Sequence, residues 1–277
     1  MLFALAPFSR MGHTNAGWVD GMAKIALRTF LRDIENLISS DQAVQAMINC
    51  RAILALYPKH LAANRLLGNA GILAQDYKSA KAAYLQVLAS LPDDLISHIG
   101  LSVLLETSAE LEPAVWHMQR AVEIQPGNPA LQKDLQRLLR RRTGEDSSEQ
   151  RLTRYALARM YQKGHLYQQA SAEILAALVD EPQRLDLQCL LIQIYRQSGK
   201  SEDAVNFALP VLEKLPDCLE ANLALIQANN SPDQAGRTNA ARRRPEALDP
   251  YYAGLSPDEL DPRLVPDAYI QIERPGL

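Results

Sequence analysis

A chain of 277 residues, 47% of them hydrophobic and 22% charged, carries enough apolar material to build a packed core, which sets it apart from disordered proteins. Its net charge of -3 and pI near 6.0 lack the strongly basic footprint of a general nucleic-acid binder, so nucleic acid is not an expected partner. Cys50, Cys189 and Cys218 lie too far apart in sequence for a CxxC pair or a zinc knuckle, which points to a reducing, cytoplasmic setting.

The apolar run at residues 1–8 has no basic stretch ahead of it and is too short to span a bilayer, so residues 1–21 are expected to be unstructured. No uninterrupted apolar stretch reaches the roughly 18 residues of a transmembrane helix. A period then sets in. Pro58, Pro92 and Pro126 stand at equal intervals, each the same distance after an alanine (Ala46, Ala80, Ala114), and the pairing returns at Ala170/Pro182 and Ala204/Pro216. An interval of this length means helix-turn-helix units, with each proline pulling the residue before it out of helical geometry and so ending a second helix.

A first block is expected over residues 22–142, opening with a helix from about 22 to 39. Gly68, Ser102 and Ala158 keep first helices thin where second helices cross, and Ala80, Ala114, Ala170 and Ala204 do the same in return. Leu67, Leu101, Leu157 and Leu191 fill the space between them. Leu131, Leu135, Leu138 and Leu139, at helical spacing after Pro129, predict a helix that caps this block. The gap from Pro126 to Pro182 is longer than one period and shorter than two, and the polar segment 143–150 within it reads as a linker. A second block follows at 151–230. The tail, 231–277, holds Pro232, Pro245, Pro250, Pro257, Pro262, Pro266 and Pro275, through which a packed solenoid is not expected to continue. Short helices are expected to start at Ser231-Pro232 and Ser256-Pro257. Tyr251, Tyr252, Leu255, Leu260, Tyr269 and Ile270 offer the means for the tail to dock as an extended peptide, against the alternative of loose packing.

The unit with Asn64, Leu67, Gly68 and Gly71 on its first helix, and Tyr77, Ala80, Tyr84, Val87 and Pro92 on its second, resembles the tetratricopeptide repeat family over most of residues 27–228. The aromatic of that pattern is missing at Gly71 and present at Tyr161 and Tyr195. The resemblance implies an all-α fold, a right-handed α-solenoid with a Pro-rich C-terminal tail. It implies a non-catalytic scaffold or adaptor that binds a protein or peptide on the concave wall of first helices, with no cofactor. The alternative is a regulatory subunit or chaperone-like assembly factor whose arginine runs meet an anionic partner.

On that wall the matching positions are Arg65, Asn69, Ile72, Ile99, Val103 and Glu106 in the first block, a mixed face with an apolar centre. In the second block they are Arg159, Gln162, Lys163, Gln193, Arg196 and Gln197, suited to a polar or acidic segment. Arg65 and Asn69 resemble half of a family clamp for terminal carboxylates, but Gly100 stands where its next asparagine belongs, so that specificity is not expected.

Catalytic signatures are missing from the sequence. His13, His60, His98, His117 and His165 show no HExxH or metal-ligand spacing, and there is no glycine-rich phosphate loop or GxSxG elbow. The arginine runs Arg137/Arg140/Arg141/Arg142 and Arg242/Arg243/Arg244 read first as solvated or helix-terminal charge, with an anionic docking site as the alternative.

Overall fold

The computed structural model describes residues 24–144, 152–228 and 235–273, so the expectations for residues 1–21, for most of the 143–150 linker and for a helix start at Ser231 lie outside the described residues. Among them, thirteen α-helices follow one another. Three pairs come first: α1 (Leu27–Ser39) with α2 (Ala43–Leu56), α3 (Leu61–Leu73) with α4 (Tyr77–Leu88), and α5 (Leu95–Thr107) with α6 (Leu111–Ile124). After the single helix α7 (Pro129–Thr143) come three more: α8 (Arg154–Lys163) with α9 (Tyr167–Asp180), α10 (Leu185–Gln197) with α11 (Ser201–Lys214), and α12 (Leu219–Ala228) with α13 (Ala235–Leu248). Helices stack on their neighbours in sequence, and the two series are bridged by α6 against α8. The all-α solenoid that the period demands is what the chain forms.

Local chemistry fixes where helices begin. Asp76, Asp94 and Thr153 accept the backbone N–H three residues on, at 3.1, 2.9 and 3.3 Å, and Asn128 accepts that of Ala130 at 3.1 Å. Within each of the five pairs whose turn is described, the chain passes through a left-handed residue at one equivalent position. It is Asp41, Gln75, Ala109 and His165 at φ 58–60°, and a glycine only at Gly199. Tyr84 fills the space between first helices, and a Cβ built on Gly68 or Gly100 would collide with its ring. At Gly71 a Cβ would meet that of Ala80 at 3.0 Å, so glycine replaces the aromatic of sister repeats where α3 and α4 approach closely. Leu131, Leu135, Leu138 and Leu139 of α7 are buried with Leu101, Leu105, Val115 and Met118, which closes the end of the first series.

Three expectations need correction. The first helix begins at Leu27 rather than near residue 22, because Lys24–Ala26 form a strand, β1, paired antiparallel with β2 (Gln271–Glu273). Helical stacking does continue into the tail: α13 contains Pro245, yet it packs on α12, and Ala241 and Leu248 are buried against Leu219, Leu223 and Ile226. One interior proline costs roughly 3 kcal/mol, which burial of several large apolar groups offsets. At Ser256-Pro257 only a single turn forms, closed by Glu259 N–H to the Ser256 carbonyl at 3.2 Å. The extended geometry that Pro262 demands of Asp261 stops a helix there.

The rest of the tail docks. Short 3-10 turns at Pro250–Gly254, Pro262–Leu264 and Asp267–Tyr269 lead into β2, and Tyr251, Leu255, Val265 and Ile272 are buried with Leu27, Phe30 and Ile34 of α1. Arg28 organises this contact. Its guanidinium donates to the Val265 carbonyl at 2.6 Å, the Pro262 carbonyl at 2.5 Å and the Asp267 carboxylate at 3.0 Å, while lying 3.7 Å over the Tyr251 ring.

The array also folds back on itself, with turns of the first series facing turns of the second. Lys59 pairs with Asp217 at 2.5 Å, Leu219 N–H donates to the Ser90 carbonyl at 2.9 Å, and Tyr155 Oη donates to Asp93 at 3.4 Å. Arg184 bridges Glu123 at 2.9 Å and Asp186 at 2.5 Å in the same seam. Leu61, Val87 and Leu91 of the first series pack with α12 and α13.

Candidate protein-binding surface

The repeat period sets Arg159, Gln193 and Gln227 in one column on α8, α10 and α12, and Gln162 and Arg196 in the next. Their side chains interlock. Gln162 Nε2 donates to Gln193 and Gln197 Oε1, both at 3.0 Å; Gln193 Nε2 donates to Glu220 at 3.3 Å; Arg196 Nε donates to Gln227 at 2.9 Å and its Nη1 pairs with Glu220. Burial raises the Glu220 carboxyl above the usual range against the opposing pull of Arg196, so that arginine neutralises a carboxylate held away from water. Arg196 is thus part of the internal framework.

Arg159 is held more loosely. Its Nη1 reaches Gln193 at 3.4 Å and Asp93 at 3.5 Å, both at the long limit of such contacts, and its Nε has no acceptor. It lines two open depressions. One, of about 450 Å3, is bordered by Arg159, Gln162, Lys163, His165, Tyr167, Gln193 and Gln197. The other, of about 550 Å3, runs from the α6–α7 turn at Ile124–Asn128 to Leu152, Arg159, Met160 and Lys163. Arg159 and Lys163 border both, so the two depressions adjoin along α8 as a trough. Among the described residues no carboxylate lines either one. Leu152 and Met160 stand 50% and 52% exposed at its wall, an apolar foothold beside two cations. Five of the six positions singled out in the second block therefore come together, with Arg196 behind them.

In the first block the six positions divide differently. Arg65 is bound to Asp94 through Nε at 2.7 Å, Asn69 Oδ1 accepts the Tyr84 hydroxyl at 2.7 Å, and Glu106 pairs with Arg137 and Arg141 of α7. Those two guanidinium groups hold the Glu106 carboxyl below its ordinary range. Ile72 and Ile99 are half-buried against the core beside the more exposed Val103. The first arginine run is likewise engaged: Arg142 pairs with Glu112 at 3.1 Å. In the second run Arg244 reaches Asn222 at 3.5 Å.

Sequence reasoning missed Leu152, Met160 and the α6–α7 turn, because a repeat template assigns no role to residues near an insertion. The exposed apolar pair flanking a basic helix was the available signal. Among the described residues no group of three or more His, Cys, Asp or Glu is placed to hold a metal ion, and no helix is long and apolar enough to cross a membrane.

No known family's sequence profile matches this chain, and no curated protein matches it. Solved structures overlay on it in part. One titled as the structure of Naa15/Naa10 bound to HypK-THB shares 17% identity over 81% of this chain and 32% of its own length, with a TM-score of 0.37. PilF of Pseudomonas aeruginosa shares 13% over 81% of this chain and 92% of its own, at 0.34. The APC/C hetero-tetramer Cut9–Hcn1 shares 12% over 84% and 47%, at 0.32. The chain spans about a third of the length of the first of these.

Proposed function

We infer that the protein is a non-catalytic adaptor of the tetratricopeptide type, which takes an acidic segment of a partner protein in the trough between the α6–α7 turn, α8 and α10. The observation that carries this reading is the meeting of Arg159, Lys163, Gln162, Gln193 and Gln197 around one open depression that no carboxylate among the described residues lines. A partner carboxylate would replace long contacts of Arg159 with short charge-assisted ones, and an adjacent apolar side chain would rest on Leu152 and Met160. The wall is held by its own hydrogen bonds before a ligand arrives, which lowers the ordering cost of binding.

An array of short peptides, acidic with one apolar anchor, tests it against the full chain and Arg159→Ala/Lys163→Ala. The expected result is micromolar-range binding that weakens at least tenfold in the double variant and falls with added salt. Binding that ignores both changes, or a preference for basic peptides, removes the reading. Arg196→Ala is unsuitable as a binding probe, because it strips the partner from the buried Glu220.

A further inference from the structure

Cys189 and Cys218, distant in sequence, meet in space with their Sγ atoms 3.2 Å apart. Helical stacking produces the encounter. Cys189 lies in the opening turns of α10, and Cys218 is the last residue before α12, in the turn after Pro216. Both are free thiols, 2% and 0% exposed, in the core that includes Leu187, Leu190 and Ala221. A 3.2 Å contact is closer than the roughly 3.5–4.0 Å at which core atoms normally rest. The third thiol, Cys50, belongs to a separate core cluster with Phe30 and Ile53.

We propose that Cys189 and Cys218 are a disulfide-forming pair that ties α10 to the α11–α12 turn when the protein meets a hydroperoxide. The sulfurs must approach by about 1 Å to reach the bonded distance of about 2.05 Å. One cysteine, as thiolate, attacks the O–O bond of hydrogen peroxide, giving a sulfenic acid and hydroxide. The second sulfur then displaces hydroxide from the first, so that two thiols and one peroxide yield one disulfide and two waters.

The placement gives the bond a structural consequence. The turn that carries Cys218 also carries Asp217, paired with Lys59, and Leu219, whose N–H is bound to Ser90. A cross-link to α10 therefore anchors the segment through which the second series grips the first. Enclosure sets the rate: the mutual hydrogen bond and burial keep the Cys189 thiol well above its usual range, so reaction waits for local opening. The same enclosure shields the finished bond from reductants, so the oxidised form is long-lived.

The test uses the full chain in native buffer. After prolonged incubation with hydrogen peroxide, the protein is unfolded in N-ethylmaleimide and its mass and peptides are mapped. The expected outcome is one alkylated thiol, a linked Cys189/Cys218 peptide, and a melting midpoint higher by roughly 5–10 °C that dithiothreitol reverses only slowly. Cys50→Ser keeps the link and the shift. Three alkylated thiols after exhaustive oxidation, a link through Cys50, or separate sulfinic acids at Cys189 and Cys218 would each overturn the proposal.

Discussion

Ala109 sits at φ 60°, a conformation that crowds its Cβ against the backbone, in the turn where the sister pair uses Gly199. Ala109→Gly is therefore expected to stabilise the protein by about 0.5–1 kcal/mol, measurable by urea denaturation. Gly100 presents the opposite case. Adding a methyl there drives it into Tyr84, so Gly100→Ala should cost about 1–3 kcal/mol, and the cost should shrink when Tyr84 is first cut to Leu. His60, 2% exposed, accepts the Ala63 N–H at 3.1 Å as a helix cap, and burial together with nearby Arg65 lowers its pKa to about 4. Its folded pKa lies below the unfolded value near 6.5, so the unfolded chain takes up the proton first. The resulting stability is complete above about pH 6.5 and is lost as pH falls toward about 4, on the order of 3 kcal/mol in all. His117, lowered to about 4 by burial, His98, Lys81 and Arg120, acts in the same direction. His60→Asn keeps a cap and should flatten the profile; an unchanged profile sinks this account. The sequence displayed Gly68, Ala80 and the leucine column because the same steric demand returns with every unit. It concealed the left-handed turns, because five different uses of one position share no residue type.

Among the elements, the tail shows how composition can mislead. Its prolines break helices, yet they also pre-shape the 3-10 turns that bring Tyr251 and Val265 onto α1. The aromatic residues that would dock were readable; their destination was not, since β1 is three residues with no pattern of its own. Arg28→Ala removes two carbonyl contacts, one ion pair and the stacking on Tyr251, and should cost about 2–4 kcal/mol. Removing residues 249–277 should expose Leu27, Phe30 and Ile34 and produce binding of a hydrophobic dye near neutral pH. A truncated chain that melts like the full one and binds no dye contradicts the docking described.

For the molecule as a whole, Arg184 holds the seam. It is half-buried beside the buried Glu123 and Asp186, and burial raises the neighbouring Asp93 carboxyl against the pull of Arg159. Arg184→Ala leaves Asp186 without its cation and Glu123 with Arg120 alone, and should cost about 3–5 kcal/mol, with a larger hydrodynamic radius as the two series part. Arg184→Met, which fills the volume, still strands the Asp186 charge and should rescue only the packing share. If neither variant changes size or stability, the seam holds nothing together. A repeat period reports how each unit meets the next and is silent on units far apart in the array, so no periodic signal pointed to Lys59 beside Asp217 or Tyr155 beside Asp93.

The pairing of residues 24–26 with 271–273 sets a timetable for synthesis. The apolar side of α1 leaves the ribosome long before the segment that will cover it has been made. A protein built of neighbour-to-neighbour contacts, which normally folds as it is made, must keep the tail-facing side of α1 uncovered until translation of this region is complete. Nascent chains stalled before residue 250 should therefore recruit chaperones at α1, and release should follow once β2 has emerged.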